Sequence, residues 1–142
     1  MIRILLTLAA GLGVGAGGMA LAHQQHEGEN VAVLAERDIV EMLDGRQARS
    51  TIVEVTLDPG QAGVAHRHPG PGFGYVLEGE YEWAIDDRPA RVLKVGETFY
   101  EPTGCLHRVS KNPAAKGKTR ILAVVLHPRD GKPIAVPEPE HE

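Results

Sequence analysis

The stretch GQAGVAHRHPGPGFGYVLEG, residues 60–79, together with GETFYEPTGCLH, residues 96–107, decides the fold of this 142-residue chain. In the first stretch His66 and His68 stand two positions apart, and residues i and i+2 of an extended strand project from the same face. His107 closes the second stretch, at the start of another predicted strand, where a barrel could bring it opposite the first pair. The three imidazoles are therefore candidate ligands for one divalent transition metal, namely Fe, Mn, Ni, Cu or Zn.

Short strand patterns fill the sequence around these stretches. Residues 50–57 are rich in β-branched side chains and are followed by the turn residues Asp58, Pro59 and Gly60. Gly79 divides residues 73–85 into two strand-like pieces, which predicts a hairpin or a tight bend. Further strands are predicted at 91–95, 106–110 and 120–127, and apolar residues between 31 and 43 offer material for early strands. No convincing helical periodicity interrupts them, so the chain is predicted to be an all-β barrel or sandwich.

The two opening stretches resemble the two sequence motifs of the cupin family. Residues 60–79 have its glycine, its H-x-H and its closing glycine, and residues 96–107 fit the pattern G-x5-P-x-G-x2-H. The resemblance implies a cupin double-stranded β-helix, or jelly-roll barrel, with one metal ion held by His66, His68 and His107. It also implies a homodimer formed through the N-terminal strands. It does not name a reaction, because cupins include dioxygenases, isomerases, epimerases, decarboxylases, storage proteins and sensors.

One position departs from the family pattern. The family commonly places a glutamate between H-x-H and the closing glycine, where this chain has Gly72. The predicted site then has three neutral ligands and carries about two positive charges, which favours an anionic substrate or dioxygen together with an anion. Gln61 and Cys105 are possible additional ligands. A simpler role is favoured for each: Gln61 as a polar turn residue, and Cys105 as a small buried residue near the site.

Several other polar and aromatic side chains are candidates for roles near the metal. Three glutamates are either acid or base groups near the metal or simply solvated residues on strand surfaces: Glu78, Glu82 and Glu101. Walls of the cavity, or simply core, are predicted for four aromatic residues: Tyr75, Trp83, Phe99 and Tyr100. Solvent exposure is predicted for the remaining histidines: His23, His26, His127 and His141. Alternation directs Arg67 and Arg108 away from the metal.

Composition sets limits on the function. The chain is 42% hydrophobic and 24% charged, as expected of a single globular domain. Its formal charge is −4, and no basic run offers to neutralise a row of phosphates, which argues against a nucleic-acid partner. A lone cysteine allows no intramolecular disulfide.

The two ends of the chain differ in composition from its middle. Residues 1–22 combine Arg3, an apolar run and the small-x-small sequence Ala20-Leu21-Ala22, which predicts a cleaved signal peptide and a secreted or periplasmic protein. An uncleaved membrane anchor is the alternative, and the many glycines of this segment disfavour it. We predict a polar N-terminal segment with the first strands at 23–48, loosely structured over 23–30. The cupin barrel then follows at 49–128 and a proline-rich tail at 129–142.

Three functions remain open from the sequence. The first is a metal-dependent enzyme, such as an oxygen-using dioxygenase, acting on a small anionic organic substrate. The second is a non-catalytic binding module for a metal or a small ligand. The third is a metal-free sugar or keto-acid isomerase or epimerase in which a histidine is the general base.

Overall fold

The computed structural model describes residues 23–26, 29–130 and 133–139, and the predicted signal peptide lies outside them. Within this part of the chain the regular structure consists of strands, so the all-β prediction is confirmed, and no helix is long and apolar enough to cross a membrane. The eleven strands are β1 (His23–His26), β2 (Glu29–Leu43), β3 (Arg46–Leu57), β4 (His66–Arg67), β5 (Gly72–Glu78), β6 (Glu80–Ile85), β7 (Arg91–Lys94), β8 (Thr98–Glu101), β9 (Leu106–Lys111), β10 (Thr119–Pro128) and β11 (Val136–Pro137).

The strands form two antiparallel sheets that enclose one core. The first sheet has the order β1-β2-β3-β10-β5-β8 and the second has the order β11-β4-β9-β6-β7. Strand β3 shows how the sequence builds the core, because its inward positions are hydrophobic while Glu54 and Thr56 between them remain partly exposed. The buried cluster draws on both sheets: Val53, Val55, Leu57, Val76, Tyr81, Trp83, Ile85, Leu93, Phe99 and Ile121. This is the barrel that the resemblance implied.

The chain changes sheets at Gly79. Strand β5 belongs to the first sheet and β6 to the second, so the glycine makes a tight bend and not a paired hairpin. Its φ of +75° is a conformation that glycine adopts without steric cost. Its Cα also lies so close to the backbone of Lys118 and Thr119 that a Cβ atom would clash.

The N-terminal and C-terminal segments are more ordered than the sequence predicted. Residues 23–30 were expected to be loose, but His23 to His26 pair with β2 from Glu29 to Ala32. Near the other end, β11 pairs with β4 and Arg67 forms a 2.9 Å ion pair with Glu138. Backbone pairing therefore holds both segments against the barrel, and the C-terminal one lies beside His66.

Candidate metal centre

Three histidines converge inside the barrel. Strands β4 and β9 place His66 and His107 directly opposite each other, and His68 follows β4. The distance between Nε2 of His66 and Nε2 of His68 is 3.2 Å. One nitrogen atom from each of the three rings lies within 4.8 Å of the other two. His107 is buried and the other two are partly buried, so the described structure contains a histidine cluster compatible with a metal ion.

Each ring of the cluster is oriented by a backbone carbonyl. The carbonyl partners are Val64 for Nδ1 of His66, at 2.8 Å, Val109 for Nε2 of His107, at 3.0 Å, and Ile134 for Nδ1 of His68. A carbonyl oxygen only accepts hydrogen bonds, so we assign the ring protons to these three nitrogens. The opposite nitrogen of each ring then carries a lone pair. Metal-ligating histidines are oriented in this way, with the outer nitrogen fixed by a hydrogen bond.

A buried carboxylate completes the cluster. Glu101 is 2% exposed, and its two oxygens lie 3.2 Å from Nε2 of His68 and 3.2 Å from Nδ1 of His107. The indole N–H of Trp83 donates to Oε1 of the same carboxylate at 2.8 Å. Glu101 is therefore not a solvated residue on the strand surface, which was the alternative to a role near the metal. In β8 the inward-facing Phe99 and Glu101 alternate with the exposed Tyr100, but four residues are too few to show this period in the sequence.

The ionisation of the cluster suits a cation. Burial acts to raise the pKa of Glu101, but His68, His107 and the Trp83 N–H together hold that pKa down to about 2, so the group is a carboxylate at neutral pH. Burial and the neighbouring His107 lower the pKa of His66 to about 4. Burial also lowers the pKa of His107. Lone pairs and a negative charge thus face one another at close range, an arrangement that a bound cation stabilises.

His68 responds differently from the other two rings. Burial acts to lower its pKa, but the hydrogen bonds to Glu101 and to the Ile134 carbonyl outweigh that effect and raise the pKa overall. A divalent cation would bind the unprotonated Nε2 of this ring, since metal ligands must be deprotonated.

A chain of hydroxyl groups supports His107 from its outer side. The Tyr81 oxygen lies 3.2 Å from Nε2 of His107 and donates to Ser110 Oγ at 2.9 Å, and Ser110 donates to Glu29 at 2.5 Å. Burial raises the pKa of Tyr81 well above its usual range, so the phenol keeps its proton. Glu29 packs against Gly63, where a Cβ would overlap with the carboxyl group. Sequence reasoning did not identify Glu29, Tyr81 or Ser110, because no local pattern links these distant positions.

The cluster opens into a cavity with mainly apolar walls. The cavity has a volume of about 80 Å³ and is open to solvent at its mouth. Its aliphatic lining comes from the first sheet and from the C-terminal segment: Val31, Val33, Val53, Val55, Ile121, Val125 and Ile134. Among the aromatic residues singled out above, Phe99 lines the cavity and Trp83 lies in the core, while Tyr75 and Tyr100 are exposed. The space suits a small organic molecule.

The two additional ligands that the sequence suggested are not brought into the cluster. Oε1 of Gln61 accepts a hydrogen bond from the backbone N–H of Asp58 at 2.7 Å, the role of a turn residue. Cys105 precedes β9, so strand alternation does not direct its side chain, which packs against the core cluster. Burial raises the pKa of its thiol to about 11, so the thiol stays protonated at neutral pH.

Other charged candidates lie away from the cavity. The guanidinium of Arg67 binds Glu138, and that of Arg108 donates to the backbone carbonyls of Asp86 and Arg88. Glu78 is exposed and lies 3.4 Å from Arg120. Of the three glutamates considered for acid or base chemistry, only Glu101 contacts the histidines in the described structure.

The prediction that His127 is exposed was wrong. The residue is 5% exposed, Nε2 lies 2.8 Å from Oγ1 of Thr51, and Nδ1 donates to the carbonyl of Pro128 at 2.9 Å. Strand β10 extends to Pro128, so His127 shares the inward face with Val125. His23, His26 and His141 fall where the structure describes no side chains.

Comparison with known proteins agrees with this architecture. The sequence model of a family described as "Cupin domain" matches residues 53–125. A cupin-2 domain from Rhodospirillum rubrum superposes with a TM-score of 0.63 at 14% identity, over 91% of this chain and 81% of that one. A double-stranded β-helix protein from Klebsiella pneumoniae gives 0.61 at 21% identity, over 84% and 92%.

A third solved structure is larger than this chain. The DMSP lyase DddQ from Ruegeria pomeroyi superposes with a TM-score of 0.54 at 22% identity, over 64% of this chain and 45% of the lyase, so the chain spans less than half of that enzyme. Similarity at these identities shows the fold alone. No curated protein matches the sequence.

Proposed function

Because this chain belongs to the cupin family, we propose that it is a metal-dependent cupin whose His66, His68 and His107 hold one divalent transition metal for chemistry on a small organic anion. The observation that carries the proposal is the orientation of the rings. Each imidazole donates its outer N–H to a backbone carbonyl. Each therefore keeps a lone pair for a cation, which is the arrangement that metal ligands require.

The cavity supports the substrate class. Its valine-rich walls would contact an apolar part of the substrate, while the polar groups lie together at the histidine cluster. A bound divalent ion would act as a Lewis acid and stabilise an anionic or carbonyl group of the substrate. If the ion is iron, it would also support reactions that use dioxygen. Protein groups would orient the substrate, and Tyr81, which stays protonated, would keep His107 in position.

The experiment that tests this function combines metal analysis with a turnover screen. Protein exported by its native host should contain a single equivalent of metal, and removal of that metal by a chelator should abolish turnover of small carboxylates or phenols. Restoring the metal should restore turnover. Turnover that survives complete removal of the metal would refute the proposal and would favour the metal-free isomerase.

A non-catalytic binding module is the second candidate, and the mostly apolar lining of the cavity favours it. Such a module would be stabilised against heat by its ligand without forming a product. Mass spectrometry of the ligand after incubation separates the two functions, because only an enzyme changes the ligand.

The proposal includes export and self-association. Residues 1–22 carry the signal pattern, so N-terminal sequencing of exported protein should begin at His23. Strand β2 leaves large hydrophobic side chains exposed, among them Leu34, Met42 and Val40, the last of which is 94% exposed. A homodimer that covers this strand would remove them from water, and light scattering should give twice the mass of the mature chain.

A further inference from the structure

We propose that Glu101 is a fourth protein ligand of the metal, so that three imidazoles and one carboxylate hold the ion. This inference rests on the proposed function, in which the histidines bind the metal. The carboxylate is supplied from across the barrel, since Glu101 lies on β8 of the first sheet whereas His66 and His107 lie in strands of the second. The two substitutes that the sequence suggested for the missing glutamate, Gln61 and Cys105, lie outside the cluster, whereas Glu101 contacts two of its rings.

The contacts of Glu101 support a ligand role. One carboxylate oxygen faces the unprotonated nitrogen of His107 and the other faces Nε2 of His68, each at 3.2 Å. The Trp83 N–H at 2.8 Å fixes the orientation of the group. A carboxylate that is 2% exposed is costly to bury without a cation to balance its charge. A divalent metal supplies that balance.

The geometry at Gly72 explains why the carboxylate sits on β8. Gly72 and Glu101 are direct partners in the β5–β8 ladder. A Cβ atom added at Gly72 would lie 3.5 Å from Oε2 of Glu101 and 3.7 Å from Cδ2 of His68, in ordinary van der Waals contact. A longer side chain at position 72 would therefore enter the space that the Glu101 carboxylate occupies. A glutamate at position 72, the family's usual place for it, and Glu101 would thus reach the same metal site from neighbouring strands.

The ligand set changes the chemistry of the centre. One carboxylate reduces the charge of a divalent ion and its ligands from about two positive charges to about one, which still attracts an anion. An oxygen ligand beside three imidazoles also suits Mn²⁺, Fe²⁺, Co²⁺ or Zn²⁺ better than the soft Cu⁺ ion, which prefers thiolate and thioether ligands.

Relocating the carboxylate tests the inference. The apoprotein is titrated with Co²⁺ against a chromophoric chelator for the wild type, Glu101→Gln, Gly72→Glu/Glu101→Gln and the control Glu82→Gln. Glutamine keeps the size of the side chain and an acceptor for Trp83, so the variant should fold normally, as circular dichroism would verify. We expect Glu101→Gln to weaken Co²⁺ binding by about 100-fold or more, beyond the usual effect of residues that only orient a ligand. Glu82 lies on the face of β6 opposite to Tyr81 and Trp83, and Glu82→Gln should bind Co²⁺ as the wild type does.

The double variant separates a ligand from a positioning residue. A carboxylate at position 72 extends from another strand, so it can restore a metal bond but not the original contact with Trp83. We expect Gly72→Glu/Glu101→Gln to recover affinity to within about tenfold of the wild type. Folded double variant with no recovery, or Glu101→Gln with unchanged affinity, would overturn the inference.

The visible spectrum of bound Co²⁺ provides one further readout. If the double variant does not fold, the visible spectrum of bound Co²⁺ decides: a ligand role predicts a changed spectrum in Glu101→Gln, and an unchanged spectrum overturns it. Failure of the proposed function is distinct, because the wild type itself would then not bind Co²⁺.

Discussion

Replacing Tyr81 with phenylalanine tests the support of His107 without touching a proposed ligand. The phenol is 0% exposed, donates to Ser110 at 2.9 Å and lies 3.2 Å from Nε2 of His107. Loss of a buried hydrogen bond costs about 1 kcal/mol, and a partner left unsatisfied raises the cost to about 3 kcal/mol. For a domain of this size each kcal/mol lowers Tm by roughly 4 °C. We therefore expect Tyr81→Phe to lower the free energy of unfolding by about 1–3 kcal/mol.

The same substitution should also weaken metal binding. His107 would keep its bond to the Val109 carbonyl but lose the Tyr81 oxygen, and residues that orient a ligand typically change metal affinity by about 10–100-fold. Thermal unfolding of the apoprotein and Co²⁺ titration measure the two effects. Tyr75→Phe is the matched control, because that tyrosine is exposed on the outer face and should change stability by less than about 0.5 kcal/mol. Equal stability and equal affinity in Tyr81→Phe and Tyr75→Phe would refute the reasoning.

Two other predictions concern the strand beside the site and the lone thiol. Gly74→Ala should destabilise the fold by about 1–3 kcal/mol in chemical denaturation, because its Cβ would overlap with the Phe99 ring, whereas Gly72→Ala should stay within about 1 kcal/mol of the wild type. Equal costs would show that the barrel relaxes around Phe99. Cys105→Ser should leave the Co²⁺ stoichiometry unchanged, because the thiol is protonated and lies outside the histidine cluster; a lost equivalent of Co²⁺ would identify Cys105 as a ligand.

The fold was largely predictable because its signals are local. The β-branched run before Asp58 became the core of β3, and the two glycine-bounded stretches framed the strands that carry His66 and His107. Strand β8 was not predicted, since its four residues between Gly96 and Pro102 are too few for a clear period. Strands β4 and β11 depend on backbone pairing with distant partners, which no local pattern records, whereas β1 pairs with the adjacent start of β2.

The candidate site was predictable only in part. The spacing of His66 and His68 indicated a shared face, but the contact of Glu101 with these rings depends on how two sheets close around the interior. Neither the strand that carries Glu101 nor the neighbours of its side chain could be predicted from the local sequence. His127 was predicted to be exposed for the same reason. Its position near the end of a strand did not indicate that Thr51, from another strand, would contact its ring in the interior.

Metal stoichiometry of the full chain is the most direct test of the central claim, which is that three convergent imidazoles bind one divalent ion. Apoprotein titrated with Co²⁺ should bind a single equivalent per chain, His66→Ala should bind none while keeping its circular dichroism spectrum, and the buried control His127→Gln should bind as the wild type does. Full stoichiometry in a folded His66→Ala variant, or no Co²⁺ binding by the wild type, would contradict the account.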